Sequence, residues 1–411
     1  KGSRSWFAFG PVRFQPAEIS KITTSLLLAF IMSRPGFKLT RFSNFLTVAA
    51  VIALPMLVIL GESETGSALV YVGFIFVLYR EGLSGWLITL IGVAILVFIL
   101  TLTTSPYTAI LWLLGIIAAG NALNHRNSLQ WLLCAAAVII LLAYIPQLWT
   151  LLQNALIPGL SEAAANAEAG EEAVNEAMAI AADASAWGFL YAVKPLYILL
   201  GLIGLAVPAV IFFALKYRDS FAGVSTLTMI AGIMMVFSVD FIFYSILQDH
   251  QRKRIEVLLG MKEDPSGVGY NVNQSMIAIG SGGLTGKGYL NGTQTTYGFV
   301  PEQSTDFIFC TVGEEWGFLG CFAVIALYVG LIWLITKDAE HSRESFTRIY
   351  GYCLASCLFM HLLINIGMTI GIMPVIGIPL PFMSYGGSSL WAFTIMLSIF
   401  IALDHREKRY F

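Results

Sequence analysis

The side chains with the most capacity for chemistry gather between Gln251 and Ser304, a long polar stretch in an otherwise apolar chain. It opens with Arg252, Lys253 and Arg254, passes through the acidic pair Glu263-Asp264, and continues with glycines, amides and aromatics. A solvated connector needs no such mixture, whereas a site for a large, polar, phosphate-bearing substrate does. Asp264 precedes Pro265, and Asp-Pro is a common start to a turn. The same carboxylate beside a group of cations is also the pairing that glycosyl or phosphoryl transfer requires, a general base or metal ligand next to charge that neutralises a phosphate. Both readings stand at this point.

Other candidates surround that stretch. Thr305, Asp306, Glu314 and Glu315 flank the start of the next apolar segment, and ionisable groups at a membrane edge are costly and usually functional. Asp240 and the pair His361 and Asn365, one helical turn apart, lie within apolar segments, where hydrogen bonding between helices is the expected role. In residues 379–389, PLPFMSYGGSS, the prolines are expected to stop the preceding helix. The Gly-Gly-Ser-Ser run, which includes Ser388 and follows Ser384, exposes backbone N–H groups at the next helix start and reads either as an anion cradle or as a plain re-entrant turn. The glycine-rich run 280–288, GSGGLTGKG, fails the spacing of a nucleotide-binding loop. Ser281 replaces its first glycine and Gly288 its magnesium-binding hydroxyl, so no nucleotide is expected, and the glycines serve tight turns or close backbone approach. The five cysteines show no ligand spacing and read as small buried hydrophobes.

Helices must position these groups. Hydrophobic residues make up 57% of the chain and charged ones 12%, against about 25% charged in soluble domains. The mean hydropathy is +0.77. Apolar stretches recur at 18–33, 44–60, 66–79, 85–103, 108–123, 128–150, 188–215, 221–247, 306–336, 347–371 and 388–404, most of them long enough to cross about 30 Å of hydrocarbon. The fold class is therefore all-α, a polytopic transmembrane helical bundle with a large structured extracellular loop. Every second connection is basic, through Arg34, Lys38 and Arg41, then Arg80, His125-Arg126, Lys216 and Arg218, Lys337, Arg343 and Arg348, and finally the C-terminal tail. The positive-inside rule makes these cytoplasmic and the alternate set external. One external segment breaks the charge trend, the stretch with Arg252, Lys253 and Arg254, and an anionic ligand is the simplest reason. Residues 160–186 are rich in Ala and Glu without Lys or Arg, which predicts a helical external hairpin or a spacer.

Several segments together resemble one family, the SEDS peptidoglycan glycosyltransferases, in their RodA-like elongation branch. They are FQPAEISK (14–21), HQRKRI (250–255), EDPSGVGYNVNQS (263–275), AIGSGGLTGKG (278–288), GTQTTYGFVPEQSTDFIF (292–309), GEEWGFLG (313–320) and GIPLPFMSYGGSS (377–389). The resemblance implies polymerisation of lipid II at the outer leaflet of a bacterial cytoplasmic membrane. Asp264 would deprotonate the acceptor GlcNAc 4-hydroxyl, which attacks the donor's anomeric carbon with inversion as undecaprenyl pyrophosphate leaves. Arg4, Lys21, Arg252, Lys253, Arg254, Gln274, Lys287, Thr305, Asp306, Glu314, Glu315, Ser384 and Ser388 are the implied substrate contacts. A divalent cation, Mg or Mn, at Asp264 and a class B penicillin-binding protein as partner complete the expectation. The chain departs from the family pattern in three places: Arg4 precedes Ser5-Trp6, Glu64 stands in an SETGS element where the family has Asp, and residues 104–247 have no counterpart. The expected division is 1–103 as first core part, 104–247 as an insertion of about four spans, 248–305 as catalytic loop and 306–411 as second core part, with three family spans expected before Lys1. A lipid II flippase is the chief rival and a scaffold that recruits the transpeptidase a third reading. The clustering of polar groups on one face favours surface chemistry.

Overall fold

The structure, a computed structural model, describes the chain except for residues 1–6, 10, 11, 63, 124–127, 158–189, 192, 218, 219, 248, 260–267 and 411. Apart from a two-stranded antiparallel hairpin, β1 (Phe7–Phe9) with β2 (Val12–Phe14), its regular elements are helices. The described residues form two compact units, 1–90 with 249–411, and 91–248.

In the first unit α1 (Pro16–Met32) starts with proline at its first position, where the missing N–H is no loss. It is followed by α2 (Phe42–Gly61), α3 (Thr65–Val72) and α4 (Phe74–Arg80). The expected span 66–79 is thus two helices that break at Gly73. A Cβ there would lie 2.4 Å from Met360 Cγ, so the glycine permits close helix packing. The second unit holds α5 (Gly85–Thr103, begun in the first unit), α6 (Pro106–Leu123), α7 (Ser128–Ala143), α8 (Ile145–Leu156), α9 (Pro195–Tyr217) and α10 (Ser220–Phe241), the last running into a π turn at Ile242–Ile246. Its core is Tyr107, Ala109, Ile110, Leu199, Ile203 and Val236. Cys134 on α7 is exposed, so the expected burial holds for the other four cysteines and not for it.

The polar stretch after Gln248 is more regular than a loop. It contains α11 (Asp249–Leu258), α12 (Val268–Ser281) and the single turn α13 (Thr293–Thr296). Three long helices close the first unit: α14 (Ile308–His341), α15 (Ser345–Thr369) and α16 (Gly387–Tyr410). The post of this unit is α15, buried along almost its whole length against α1, α4, α14 and α16. It ends at Thr369 with Gly371 in the left-handed region (φ 75°), well before Pro379. The stop comes from that glycine and not from the prolines, because a residue without Cβ takes the left-handed cap freely.

Charge ties one end of the unit together. Arg80 meets Glu340 at 2.8 Å, Arg348 forks onto Glu81 at 3.0 Å, and Lys408 reaches Asp404 at 2.7 Å. Glu407 accepts from the Ser342 hydroxyl and from the Arg343 and Glu344 backbone N–H groups. Of the connections assigned to one side by charge, those at Arg80, at Arg343 and Arg348, and in the C-terminal tail therefore do share one end of α4, α14, α15 and α16. Lys21, Asp306, Glu314, His361 and Asn365, among the described candidates of this unit, sit toward the other.

Candidate functional site

Two polar assemblies occupy that other end, and neither is continuous in sequence. The first is built on α1 and α15. Lys21 is 1% exposed, and its ammonium donates to Glu18 Oε1 at 2.8 Å and lies 2.9 Å from His361 Nε2. His361 Nδ1 lies 3.0 Å from the Pro379 carbonyl. A carbonyl only accepts, so Nδ1 carries the hydrogen and Nε2 accepts from Lys21. The Phe393 ring closes the pocket, 5.0 Å from the ammonium and edge-on to His361. One turn further along α15, Asn365 Nδ2 donates to the carbonyls of Asp306 (2.8 Å) and Ile378 (2.7 Å). Ser384 Oγ accepts from the Leu380 N–H, and the Tyr385 N–H donates to the Ser304 carbonyl. The segments 299–307 and 370–386 are thereby clamped over a polar centre inside an apolar bundle. Beside it, Glu64 accepts from Gln15 and Ser67, and the Tyr71 hydroxyl donates to Ser20.

The second assembly is built on Glu314, whose side chain is fully buried. It accepts from Lys287 Nζ (2.8 Å), the backbone N–H groups of Gln294 and Thr295 (2.9 Å each) and the Thr295 hydroxyl (2.9 Å). Those N–H groups are the unpaired donors of the first turn of α13, so the carboxylate caps that turn from a distance. Around it two chain segments also meet through backbone groups. α14 breaks at Gly317 (φ 63°, ψ −158°), and the freed groups bond the loop after α12. Lys287 and Gly288 donate to the Glu314 and Glu315 carbonyls, and Phe318 and Leu319 donate to those of Gly283 and Leu284. A Cβ on Gly286 would lie 2.1 Å from the Glu315 carbonyl oxygen, and one on Gly317 2.4 Å from the Gly286 nitrogen.

Measured against the expectations, Asp264 and Arg4 lie outside the described residues. The basic trio lies on α11, where successive residues point about 100° apart, so its three side chains leave the helix in different directions. Lys253 is exposed, and Arg252 is paired at 3.5 Å with both Asp249 and Glu256 of its own helix. Arg254 is half-buried, its Nε finds no hydrogen-bond partner among the described residues, and burial pushes its guanidinium below the usual range. Such a cation gains most from an anion. Lys21 and Glu314, expected as substrate contacts, have their charges engaged inside the fold; in this conformation they hold segments in place. Lys287 is likewise turned inward, to Glu314 and Thr293. Glu315 is buried, Gln274 and Ser388 are half-buried, and Thr305 bonds Glu302. Asp306 is lifted to about 6 by burial and by the neighbouring Glu302. The pairing of Gln15 with Glu64 was missed because the two lie far apart in sequence, whereas Glu18 stands one helical turn before its partner Lys21 and was legible as an i, i+3 pair beside an apolar run.

The divalent cation is expected at Asp264, which lies outside the described residues; among the described residues no three of His, Cys, Asp and Glu converge as ligands.

The comparisons follow the same lines. A family model described as "Cell cycle protein", for FtsW, RodA and SpoVE, matches residues 1–117 and 191–409. The unmatched stretch is thus 118–190, narrower than the 104–247 left without counterpart by motif. The chain is 40% identical over 179 residues to the peptidoglycan glycosyltransferase MrdB of Escherichia coli K12, covering 44% of this chain and 48% of that relative, so the match spans about half of that protein. It is 28% identical to the peptidoglycan glycosyltransferase RodA of Treponema pallidum over 99% of this chain and 78% of that one. A solved chain of a peptidoglycan synthase complex shares the fold, with a TM-score of 0.52 at 19% identity over 99% of this chain and 74% of that one. Since the family match takes in both polar assemblies and the helices that hold them, the chain belongs to the FtsW/RodA/SpoVE family of cell cycle proteins.

Proposed function

We propose that this chain is a peptidoglycan glycosyltransferase of the elongation type, which polymerises lipid II at the external face of a bacterial cytoplasmic membrane beside a class B penicillin-binding protein. The observation that carries the reading is the polar centre at one end of the bundle, where Lys21, His361 and Asn365 clamp two segments that bear the family's motifs. Peptidoglycan glycosyltransferase relatives lend it weight. In the reaction, the acceptor 4-hydroxyl gives its proton to Asp264 and its oxygen attacks the anomeric carbon from the face opposite the leaving group. The bond from that carbon to the pyrophosphate oxygen breaks, and its electron pair leaves with the undecaprenyl pyrophosphate. The cation placed to take up that charge is Arg254, half-buried and short of partners, more than Arg252 or Lys253.

The test is glycan-strand formation from purified lipid II by the chain with its transpeptidase partner, the partner's own chemistry blocked. Removing a general base costs about 10²–10⁴-fold, so Asp264→Ala is expected to abolish visible polymer while the complex still elutes intact. Arg254→Ala should slow polymerisation more than Lys253→Ala. Polymer at the normal rate from Asp264→Ala would remove the base, and transfer of labelled lipid II across a vesicle bilayer without polymer would make the chain a flippase.

A further inference from the structure

The loop between α12 and α13 presents a face that the proposed reaction does not use. Leu284, Tyr289 and Leu290 on it are 71%, 69% and 66% exposed. Its single charged residue, Lys287, turns inward to Glu314, which leaves the outward face without charge. Leu290 also holds a left-handed backbone (φ 61°), a strained state for a residue with a Cβ, and still exposes its side chain.

The level of this loop relative to a bilayer follows from its bonds. In α14 no charged residue occurs between Glu315 and Lys337, and the helical residues 318–336 beyond the break rise about 28 Å at 1.5 Å per residue, close to the thickness of the hydrocarbon layer. One edge of that layer therefore falls at Lys337 and the other at the break around Gly317. Trp316, Phe318, Leu319 and Phe322 are exposed at the second edge, a composition typical of the membrane–water boundary. The loop backbone is bonded to Glu314, Glu315, Phe318 and Leu319, so it lies at the same level. The geometry points to a lipid-contacting foot: residues 283–290 seat Leu284, Tyr289 and Leu290 in the headgroup–acyl boundary of the leaflet at the candidate-site end of the bundle. Two aliphatic side chains and a phenol, apolar in body and polar at one tip, suit that layer. The foot would set the height of α13 above the membrane through the Glu314 bonds.

The test places a cysteine at position 284, 289 or 290 of the full chain in a Cys134→Ser background, labels it with an environment-sensitive fluorophore, and reconstitutes it in phosphatidylcholine–phosphatidylglycerol vesicles. Lipids carrying a nitroxide near the headgroup should remove most of the emission at all three positions and aqueous iodide little, with a depth within about 5–10 Å of the headgroups. Quenching by iodide without nitroxide quenching would overturn the proposal and leave the face in water. Protection from both quenchers would overturn it as well, and assign the face to a protein contact.

Discussion

Two acids a short distance apart in sequence, the buried Glu314 and the half-buried Asp306, have opposite surroundings, and their substitutions should behave differently. Glu314 is encircled by donors. Glu314→Ala strands Lys287 and two backbone N–H groups, and breaking a buried charge pair in this way costs about 3–5 kcal/mol. A large fall in the thermal midpoint of the detergent-solubilised protein is expected, with Lys287→Ala giving a smaller one because Lys287 keeps some contact with solvent. Asp306 has few donors, and burial with Glu302 nearby lifts it from 3.8 to about 6. The folded state then holds this proton more tightly than the unfolded chain does. Its stabilising contribution is complete below about 3.8 and is lost as pH rises through about 6, a swing of at most about 3 kcal/mol. Asp306→Asn should remove that part of the midpoint's slope between about pH 4 and 6; an unchanged slope would move the titration to another group. At this scale the sequence marks the acids and the buried His361 and Asn365. It does not pair Lys21 with His361, because a contact between positions so far apart arises only when α1 lies against α15.

Elements were the most legible level. Apolar length alone placed the long helices within a few residues, since a stretch that must cross hydrocarbon has little choice but to satisfy its backbone as a helix. The breaks were not legible. The motifs 278–288 and 313–320 read as separate glycine-rich runs, whereas they are two halves of one backbone contact, with the glycines making room rather than binding phosphate. Gly317 occupies a region of backbone space almost closed to other residues, at a cost of order 1–3 kcal/mol, and its Cβ would also meet the loop. Gly317→Ala is therefore expected to destabilise by at least that amount. Gly330→Ala, in the same helix with open space around it, should be neutral or slightly stabilising. Thermal unfolding of the pair side by side checks it; equal behaviour would mean the break in α14 carries no constraint.

For the whole molecule, the alternation of basic connections predicted which ends lie together, and the Arg80–Glu340 and Arg348–Glu81 pairs in the first unit agree. What charge cannot convey is the packing that makes α15 the post of that unit, because a wholly buried helix and a lipid-facing one are equally apolar. The sidedness is testable in intact cells with a membrane-impermeant maleimide. A cysteine replacing Thr296 should be modified and one replacing Arg343 spared; the reverse pattern would turn the chain over in the membrane.

Because the contact between 283–288 and 314–319 runs mainly through main-chain groups, with the Lys287–Glu314 pair as its side-chain anchor, the way the loop is held is independent of what its outward-facing side chains are. A library randomised at Leu284, Thr285, Tyr289 and Leu290 should yield mostly folded proteins, while one randomised at Gly282, Gly286 and Gly317 should yield few. Selection could thus retune what this loop touches, residue by residue, without having to reinvent its attachment each time.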